Sequence, residues 1–420
     1  MESISQPPVT RGFGLASAGA WTGSSRRDRL RGLLPPLIAW LVSNLITWLI
    51  AAHSVAGDGS RVAYWSTAGR RRWDSEHYLS IAKTGYEMFR CRDRYPDFPD
   101  VTCGNVAWFP GYPMAVRAVS STGLSYEISA VFVTEASLLG MFAVLWYLLG
   151  ARLTWATGLT LAIGVVFPGG VYFHAMFPIA TGTLALLVCT AGVKRGSWGM
   201  AAAGGFLAAA CHLVGAVAVG MLLLSALFAW RRDARGVRIA KAVGSAAIAG
   251  CGVLWAKWLM WQATGRWDAY EAIQESSYQQ SGVRQPFDEM RHAYAFPFSE
   301  WYRPQGHLPW LVEHSLSAHR TQLWLNGAFF LLVVATAVVL LIRNRRLGAD
   351  EWAALILTVA IFLLPFFAGA EMSWYRNHAQ MFVGLVLVKH MSRWVQVPLL
   401  VCCSVQYALL ASMFFAGVLV

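Results

Sequence analysis

The residues of this chain best suited to chemistry form a polar run directly after its first apolar stretch: Arg72-Trp73-Asp74-Ser75-Glu76-His77-Tyr78, leading on to Trp108-Phe109-Pro110-Gly111-Tyr112-Pro113. An ionisable side chain held where a membrane span meets water is costly to desolvate without partners, so a carboxylate there is a candidate chemical group. Asp74 is that candidate. Tyr78, Ile81, Ala82 and Tyr86 recur at helical intervals, which predicts a short amphipathic helix over Asp74 to Thr84, lying in the interface. Near its N-terminus the helix dipole favours an ionised carboxylate, and the same carboxylate can cap free backbone amides. Two readings of Asp74 stand side by side, a helix cap and a chemical group, just as Trp73 reads equally as an interfacial belt residue.

The elements that must hold this loop are membrane helices. Hydrophobic residues make up 56% of the 420 and charged residues 13%, with 20 Trp and a mean hydropathy of +0.46, more apolar surface than one soluble core needs. The chain therefore reads as an all-α polytopic membrane protein. The net charge of +12 sits in short clusters beside apolar runs, a pattern of topology signals and anionic-lipid contact that gives no reason to expect a nucleic-acid partner.

Apolar runs extend over Leu33–Ala52, Tyr126–Leu149, Gly158–Phe173, Pro178–Val193, Trp198–Trp230, Ile239–Trp261, Gln322–Ile342, Trp352–Ala370, Ala379–His390 and Val395–Val418. A crossing helix needs about 20 residues, so Trp198–Trp230 is read as two short spans bent at His212-Leu213-Val214-Gly215, giving about 10–11 crossings. Arg26, Arg27, Arg29 and Arg31 set the N-terminus inside and the Asp74 loop outside. With the hairpin, Lys194-Arg195, Arg231-Arg232, Arg343 to Arg346 and Lys389 to Arg393 also fall inside.

Residues 1–31, rich in Ser, Gly, Pro and Arg, read as a disordered cytoplasmic tail, and 32–420 as one integral domain of the cell membrane with outer loops at about 53–125 and 262–321. Cys91 and Cys103 fall in the first loop, where an oxidising compartment would let them pair; free thiols are the alternative. The other five cysteines read as small buried hydrophobes. No cofactor is expected. Neither a paired CxxC nor HExxH occurs, and acidic residues of the outer loops leave a divalent ion open without a spacing that demands one.

The loop motifs resemble a known family. Trp73-Asp74, His77-Tyr78-Leu79, Ile81-Ala82, Gly85-Tyr86 and then Phe109-Pro110-Gly111-Tyr112-Pro113 are similar to the first luminal loop of the second mannosyltransferase of glycosylphosphatidylinositol assembly and its prokaryotic relatives. Weaker similarity reaches Thr264-Gly265-Arg266-Trp267-Asp268-Ala269-Tyr270 and Trp374-Tyr375-Arg376. The resemblance implies a C-type glycosyltransferase that moves a hexose, mannose in that family, from a polyprenyl-phosphate donor to a lipid or glycolipid acceptor on the outer face. It implies that Asp74 is the general base of an inverting transfer, taking the acceptor hydroxyl's proton. Arg72, His77, Arg117 and Arg376 are candidates to offset charge on the donor phosphate, Arg376 first among them, and Trp73 is grouped with the donor site.

Acceptor contacts are assigned more weakly to Asp268 and Glu271, with Glu275 on the same helical face, and to His212. Aromatic and donor residues of the second loop, Tyr278, Arg284, Arg291, His292, Tyr294, Trp301, Tyr302, Arg303, His307 and Trp310, suit sugar rings and equally suit an interfacial belt. Two positions depart from the family: Ile179 stands where relatives carry a glutamate, and His212-Leu213-Val214-Gly215 where they carry an Arg-Ser-x-Gly segment. Hence two alternatives remain, a transporter or scramblase of lipid-linked sugars and a noncatalytic partner subunit. A transporter would place functional charges in midspan, and Lys257 is the main midspan charge expected here.

Overall fold

The computed structural model describes residues 26–54, 61–97, 100–229, 235–278, 285–294, 316–368 and 374–417. The chain runs α1 (Arg26–His53), α2 (Thr67–Arg70), α3 (Ser75–Thr84), β1 (Met88–Arg90), α4 (Cys91–Arg94), β2 (Thr102–Gly104) and α5 (Gly111–Ser120) before α6 (Tyr126–Leu148). There follow α7 (Trp155–Val165), α8 (Pro178–Arg195), α9 (Trp198–Cys211), α10 (Val217–Ala229), α11 (Arg235–Thr264), α12 (Ala269–Tyr278) and α13 (Pro286–Ala293). The last described elements are α14 (Leu316–Ile342), α15 (Ala349–Ala368), α16 (Trp374–Ala379), α17 (Leu385–Val388) and α18 (Arg393–Phe415).

This is an all-α polytopic membrane protein. Among the described residues six helical stretches are long and apolar enough to span a bilayer: Gly32–His53, Tyr126–Leu148, Gly236–Thr264, Thr321–Ile342, Ala349–Phe367 and Arg393–Phe415. Three shorter apolar helices, Trp155–Val165, Trp198–Cys211 and Leu213–Ser225, stand beside them. Two runs expected as single spans are broken. Gly158–Phe173 divides into α7 and a 3₁₀ turn at Gly170–Phe173, and Ala379–His390 into the end of α16, a 3₁₀ turn at Gln380–Gly384, and α17. Residues 379–388 are buried throughout, and irregular backbone at membrane depth is tolerated where protein covers it.

The Trp198–Trp230 run is a hairpin. α9 ends at Cys211, a 3₁₀ turn covers Leu213–Ala216, and a Cβ built on Gly205 would lie 3.4 Å from Leu222 Cδ1, a contact only a reversed chain can make. Small residues let α8, α9 and α11 approach closely: a Cβ on Gly204 would lie 2.5 Å from Cys189 N, and one on Gly252 2.4 Å from Phe206 O. Such contact replaces the missing hydrophobic drive between helices in lipid.

α6 measures the body. At one end Glu127 pairs with Lys83 of α3 at 2.6 Å; at the other the Leu148 carbonyl accepts from Lys194 Nζ at 2.9 Å and Lys389 Nζ at 3.4 Å. At 1.5 Å per residue these ends are roughly 33 Å apart. Lys194 also meets Asp350 at 2.9 Å, while Lys389 and His390 meet Glu351 at 3.5 and 2.6 Å. Two basic clusters expected on one side of the membrane thus share one end of the bundle, opposite the Asp74 loop.

That loop folds on itself before it meets the helices. β1 and β2 pair antiparallel, Met88 to Gly104 and Arg90 to Thr102, and Cys91 is bonded to Cys103. Gly104 has φ 142°, and a Cβ there would fall 2.2 Å from Glu87 O, so no other residue fits. Asn105 staples the hairpin to α3, accepting from Glu87 N at 2.8 Å and donating to Ser80 Oγ at 3.1 Å and Gly85 O at 3.0 Å. A second core of Val106, Phe109, Ala256, Met260, Ala269 and Ile273 joins it to α11 and α12. With a sequence separation of 12, loss of the bridge in Cys91→Ser is expected to remove about 3 kcal/mol of stability from this loop. Proteolysis between β1 and β2 that is no faster in the variant than in the reduced wild type, and faster in both than in the oxidised protein, is the expected result.

Candidate active site around Asp74

Asp74 occupies the N-cap position of α3, yet its side chain makes no capping hydrogen bond. The carboxylate is engaged elsewhere, so the capping role expected of it is not the one it takes. Arg376 of α16, 302 residues away, donates to Asp74 Oδ2, and the Trp108 indole N–H donates to the same carboxylate. The pair keeps 21% of the Asp74 side chain and 16% of the Arg376 side chain exposed. Burial, the largest influence, would raise the Asp74 carboxyl; Arg376, through its charge and its hydrogen bond, and then the Trp108 hydrogen bond outweigh it and hold the group below its ordinary value.

The backbone leading into Asp74 is strained. Trp73 has φ 46°, a conformation that costs a bulky residue of order 1–3 kcal/mol and persists only where surroundings enforce it. Its ring is 41% exposed. On the inner side α3 buries Ser75, Tyr78, Leu79, Ile81 and Ala82, with Tyr78 edge-on to Tyr112 at 5.9 Å. The expected amphipathic helix is therefore present, one residue shorter at its start.

Other groups converge from distant segments. The Arg376 guanidinium carbon lies 5.7 Å from the centre of the Phe177 ring, which stacks on Tyr172 at 5.8 Å. His212, at the reversal between α9 and α10, lies within electrostatic reach of both Arg376 and Asp74, and its Nδ1 accepts from Val214 N at 3.2 Å. Ile179, buried in the first turn of α8, leaves no carboxylate at that position.

Several sequence candidates serve other ends. The Arg117 guanidinium donates to Ala82 O at 2.7 Å and Ile81 O at 3.0 Å, so it closes the C-terminus of α3, where backbone carbonyls attract a cation. Arg117→Met is accordingly expected to lower thermal stability by about 1–2 kcal/mol while leaving lipid-phosphate affinity within about twofold of wild type, measured by melting and by binding side by side. His77 stacks on Trp108 with centroids 3.6 Å apart. Burial is the main influence on its ring and lowers it below 6.5, against the pull of Asp74 and Glu76, so at pH 7 it is a neutral plate instead of a cation. Arg72 reaches the Phe415 carbonyl at 3.2 Å, tying the loop to α18. Asp268 pairs with Arg266 at 2.7 Å and Glu271 with Lys257, both on the exposed surface, so their carboxylates are engaged there and not with the neighbours of Asp74.

Of the second outer loop, Arg284, Trp301, Tyr302, Arg303, His307 and Trp310 lie outside the described residues, as do the side chains of Tyr278, His292 and Tyr375. Tyr294 packs edge-on to Trp324 at 5.3 Å. Among the described residues no three His, Cys, Asp or Glu side chains gather as metal ligands would.

Sequence reasoning missed two parts. Trp108 belonged to a motif of the first loop but carried no role. The second is a buried polar network beneath the loop. Arg70, 2% exposed, pairs with Glu135, 18% exposed, in the middle of α6. Glu135 also accepts from Trp40 Nε1 at 2.7 Å and Asn44 Nδ2 at 3.0 Å on α1. A glutamate well inside an apolar helix, beyond Glu127 in its first turn, was the available signal.

No protein-family model matches the chain, and no curated protein matches it; the likeness of the first loop to the second mannosyltransferase of glycosylphosphatidylinositol assembly rests on its motifs alone. Among solved structures the chain is similar to the Archaeoglobus fulgidus oligosaccharyltransferase. For the apo form the TM-score is 0.43 at 11% identity over 91% of this chain and 56% of that chain. For the complex with Zn and sulfate it is 0.42 at 10% identity over 89% and 53%. The chain thus spans just over half the length of those structures, a likeness too loose to align any residue of the site.

Proposed function

We propose that the protein is a C-type membrane glycosyltransferase that moves a hexose, mannose by the resemblance of its first loop, from a polyprenyl-phosphate donor to a lipid or glycolipid acceptor at the extracytoplasmic face. The observation that carries this reading is the contact of Asp74 with Arg376: an ionised, partly exposed carboxylate and a guanidinium, brought from the two ends of the chain to the end of the bundle where the first loop folds. One is the group that accepts a proton, the other the group that receives a phosphate.

In the reaction the acceptor hydroxyl oxygen forms a bond to the anomeric carbon as the bond from that carbon to the phosphate oxygen breaks. The electron pair leaves with the lipid phosphate, and the hydroxyl proton passes to Asp74. Attack from the face opposite the phosphate inverts the anomeric centre. In the resting arrangement Arg376 neutralises Asp74, so the pair has to part: the donor phosphate takes the guanidinium, and the carboxylate, still oriented by the Trp108 N–H, is released to act as base. His77 and Trp108 offer a stacked, uncharged surface beside it.

The test is transfer of labelled mannose from a polyprenyl-phosphate donor to membrane lipids by the purified protein. Labelled lipid formed in proportion to enzyme supports the reading. Lack of transfer with every hexose donor tried would overturn it and move the weight to the noncatalytic-subunit alternative, which Ile179 and His212 motivate.

A further inference from the structure

Arg70 lies four residues before Asp74 and uses its whole guanidinium inside the bundle. Nη1 donates to Glu135 Oε1, Nη2 to Asn44 Oδ1 at 3.4 Å and Nε to Tyr64 O at 3.4 Å, and the group lies 4.4 Å over the Tyr64 ring. Tyr64 in turn donates to Asn44 Oδ1 at 2.8 Å and sits 2.9 Å from His174 Nδ1, whose Nε2 is 3.0 Å from Ser43 Oγ. The network therefore joins α1, α6, the first loop and the segment before α8. A buried ion pair is weak evidence for stability, since well-packed apolar residues often do as well. A charged pair placed inside the bundle invites a role other than stability.

Two features point to that role. The Arg70 carbonyl accepts from Met176 N at 3.4 Å, one residue before Phe177, over whose ring Arg376 lies. And between Arg70 and Asp74 stands Trp73 at φ 46°, a strained link that needs a fixed support on each side. Arg70 thus holds both halves of the site, the carboxylate through its own strand of chain and the bed of Arg376 through Met176.

Resting on the reading of Asp74 as base, we infer that Arg70, fixed by Glu135, is a positioning residue that sets the Asp74 carboxylate and the Phe177 platform at the distance transfer requires. A misplacement of about 1 Å at a reacting group can cost about 10²-fold in rate.

The experiment compares wild type, R70M/E135Q, R70K and D74N in transfer assays at saturating and limiting donor. R70M/E135Q removes both charges together, so no buried charge is left alone, and the amide oxygen that replaces the Glu135 carboxylate can still accept from Trp40 and Asn44. It is expected to fold, with elution and melting like wild type, to lose about 10²-fold in kcat, and to keep its donor KM within about threefold. R70K keeps the charge opposite Glu135 but not the fork, and is expected to fold and to recover about tenfold of that loss. Either folded variant with wild-type kcat overturns the inference, as does a loss carried by KM with kcat unchanged. If D74N is itself fully active, the reading of the site fails; if D74N is inactive and R70M/E135Q is active, the anchor alone fails.

Discussion

Asp74→Asn is expected to abolish transfer and, at the same time, to bind lipid phosphate more tightly than the wild type. The loss follows from removal of the base, a contribution of roughly 10²–10⁴-fold in rate. The gain follows from the resting geometry. On the proposed reading, Asp74 competes with the donor phosphate for Arg376, so a phosphate would bind only the fraction of molecules in which the pair is open, and its apparent affinity would fall by that fraction. Asparagine has no charge to hold Arg376. A tightening of about tenfold is expected, corresponding to a pair closed about nine-tenths of the time. Binding of polyprenyl phosphate to the two proteins in nanodiscs, with mannose transfer measured on the same preparations, reads both effects. Weaker phosphate binding by the variant would mean that Asp74 assists the donor, and equal transfer would remove it from the chemistry.

Arg376→Gln is expected to cost both affinity and acid tolerance. Without the guanidinium, affinity for lipid phosphate should fall by about 10²-fold, the scale of removing a charge-assisted hydrogen bond from a partly buried site. The Asp74 carboxyl would then feel burial, its largest influence, with Trp108 as the principal remaining opposing hydrogen bond, and should rise. The sign is fixed by linkage. In the wild type the folded carboxyl lies below its ordinary value of 3.8, so the stability from this group is complete above that pH and is lost only as pH falls through the lower folded value. The wild-type kcat/KM for donor, which reports the free enzyme with the pair closed, should be flat on the acid side from neutrality to about pH 5. In the variant the acid limb moves up toward neutrality. An unmoved limb in a folded Arg376→Gln protein would show that Arg376 does not set the ionisation of Asp74.

The first loop was legible because its signals are local. Helical spacing of Tyr78, Ile81 and Ala82 marked α3, and the Cys91–Cys103 spacing fits a hairpin that the pairing of β1 with β2 closes. The bend at His212 could be read from a run too long for one span. What stayed hidden is nonlocal. Glu135 is the one carboxylate in the interior of a 23-residue helix of mean hydropathy 2.0, and nothing near it in sequence names Arg70 as its partner. Trp108 stood in a loop motif with no role of its own, and only the fold brings its indole against Asp74. Arg117 erred the other way: in sequence its charge advertises a ligand, and in the fold it ends a helix. Broken spans such as Ala379–His390 escaped because hydropathy records burial, and burial alone does not distinguish a lipid-facing helix from irregular backbone wrapped in protein.

Asp74 meets a partner 302 positions further along the chain, and Arg72 meets the Phe415 carbonyl 343 positions on. During synthesis the early loop is therefore released long before either contact exists. Through most of translation the Asp74 carboxylate has no guanidinium to hold it, so a polypeptide stalled or cut before residue 376 carries an acid group without its partner. The contacts that close this end of the bundle are thus among the last the chain can form, and a truncated copy lacks them.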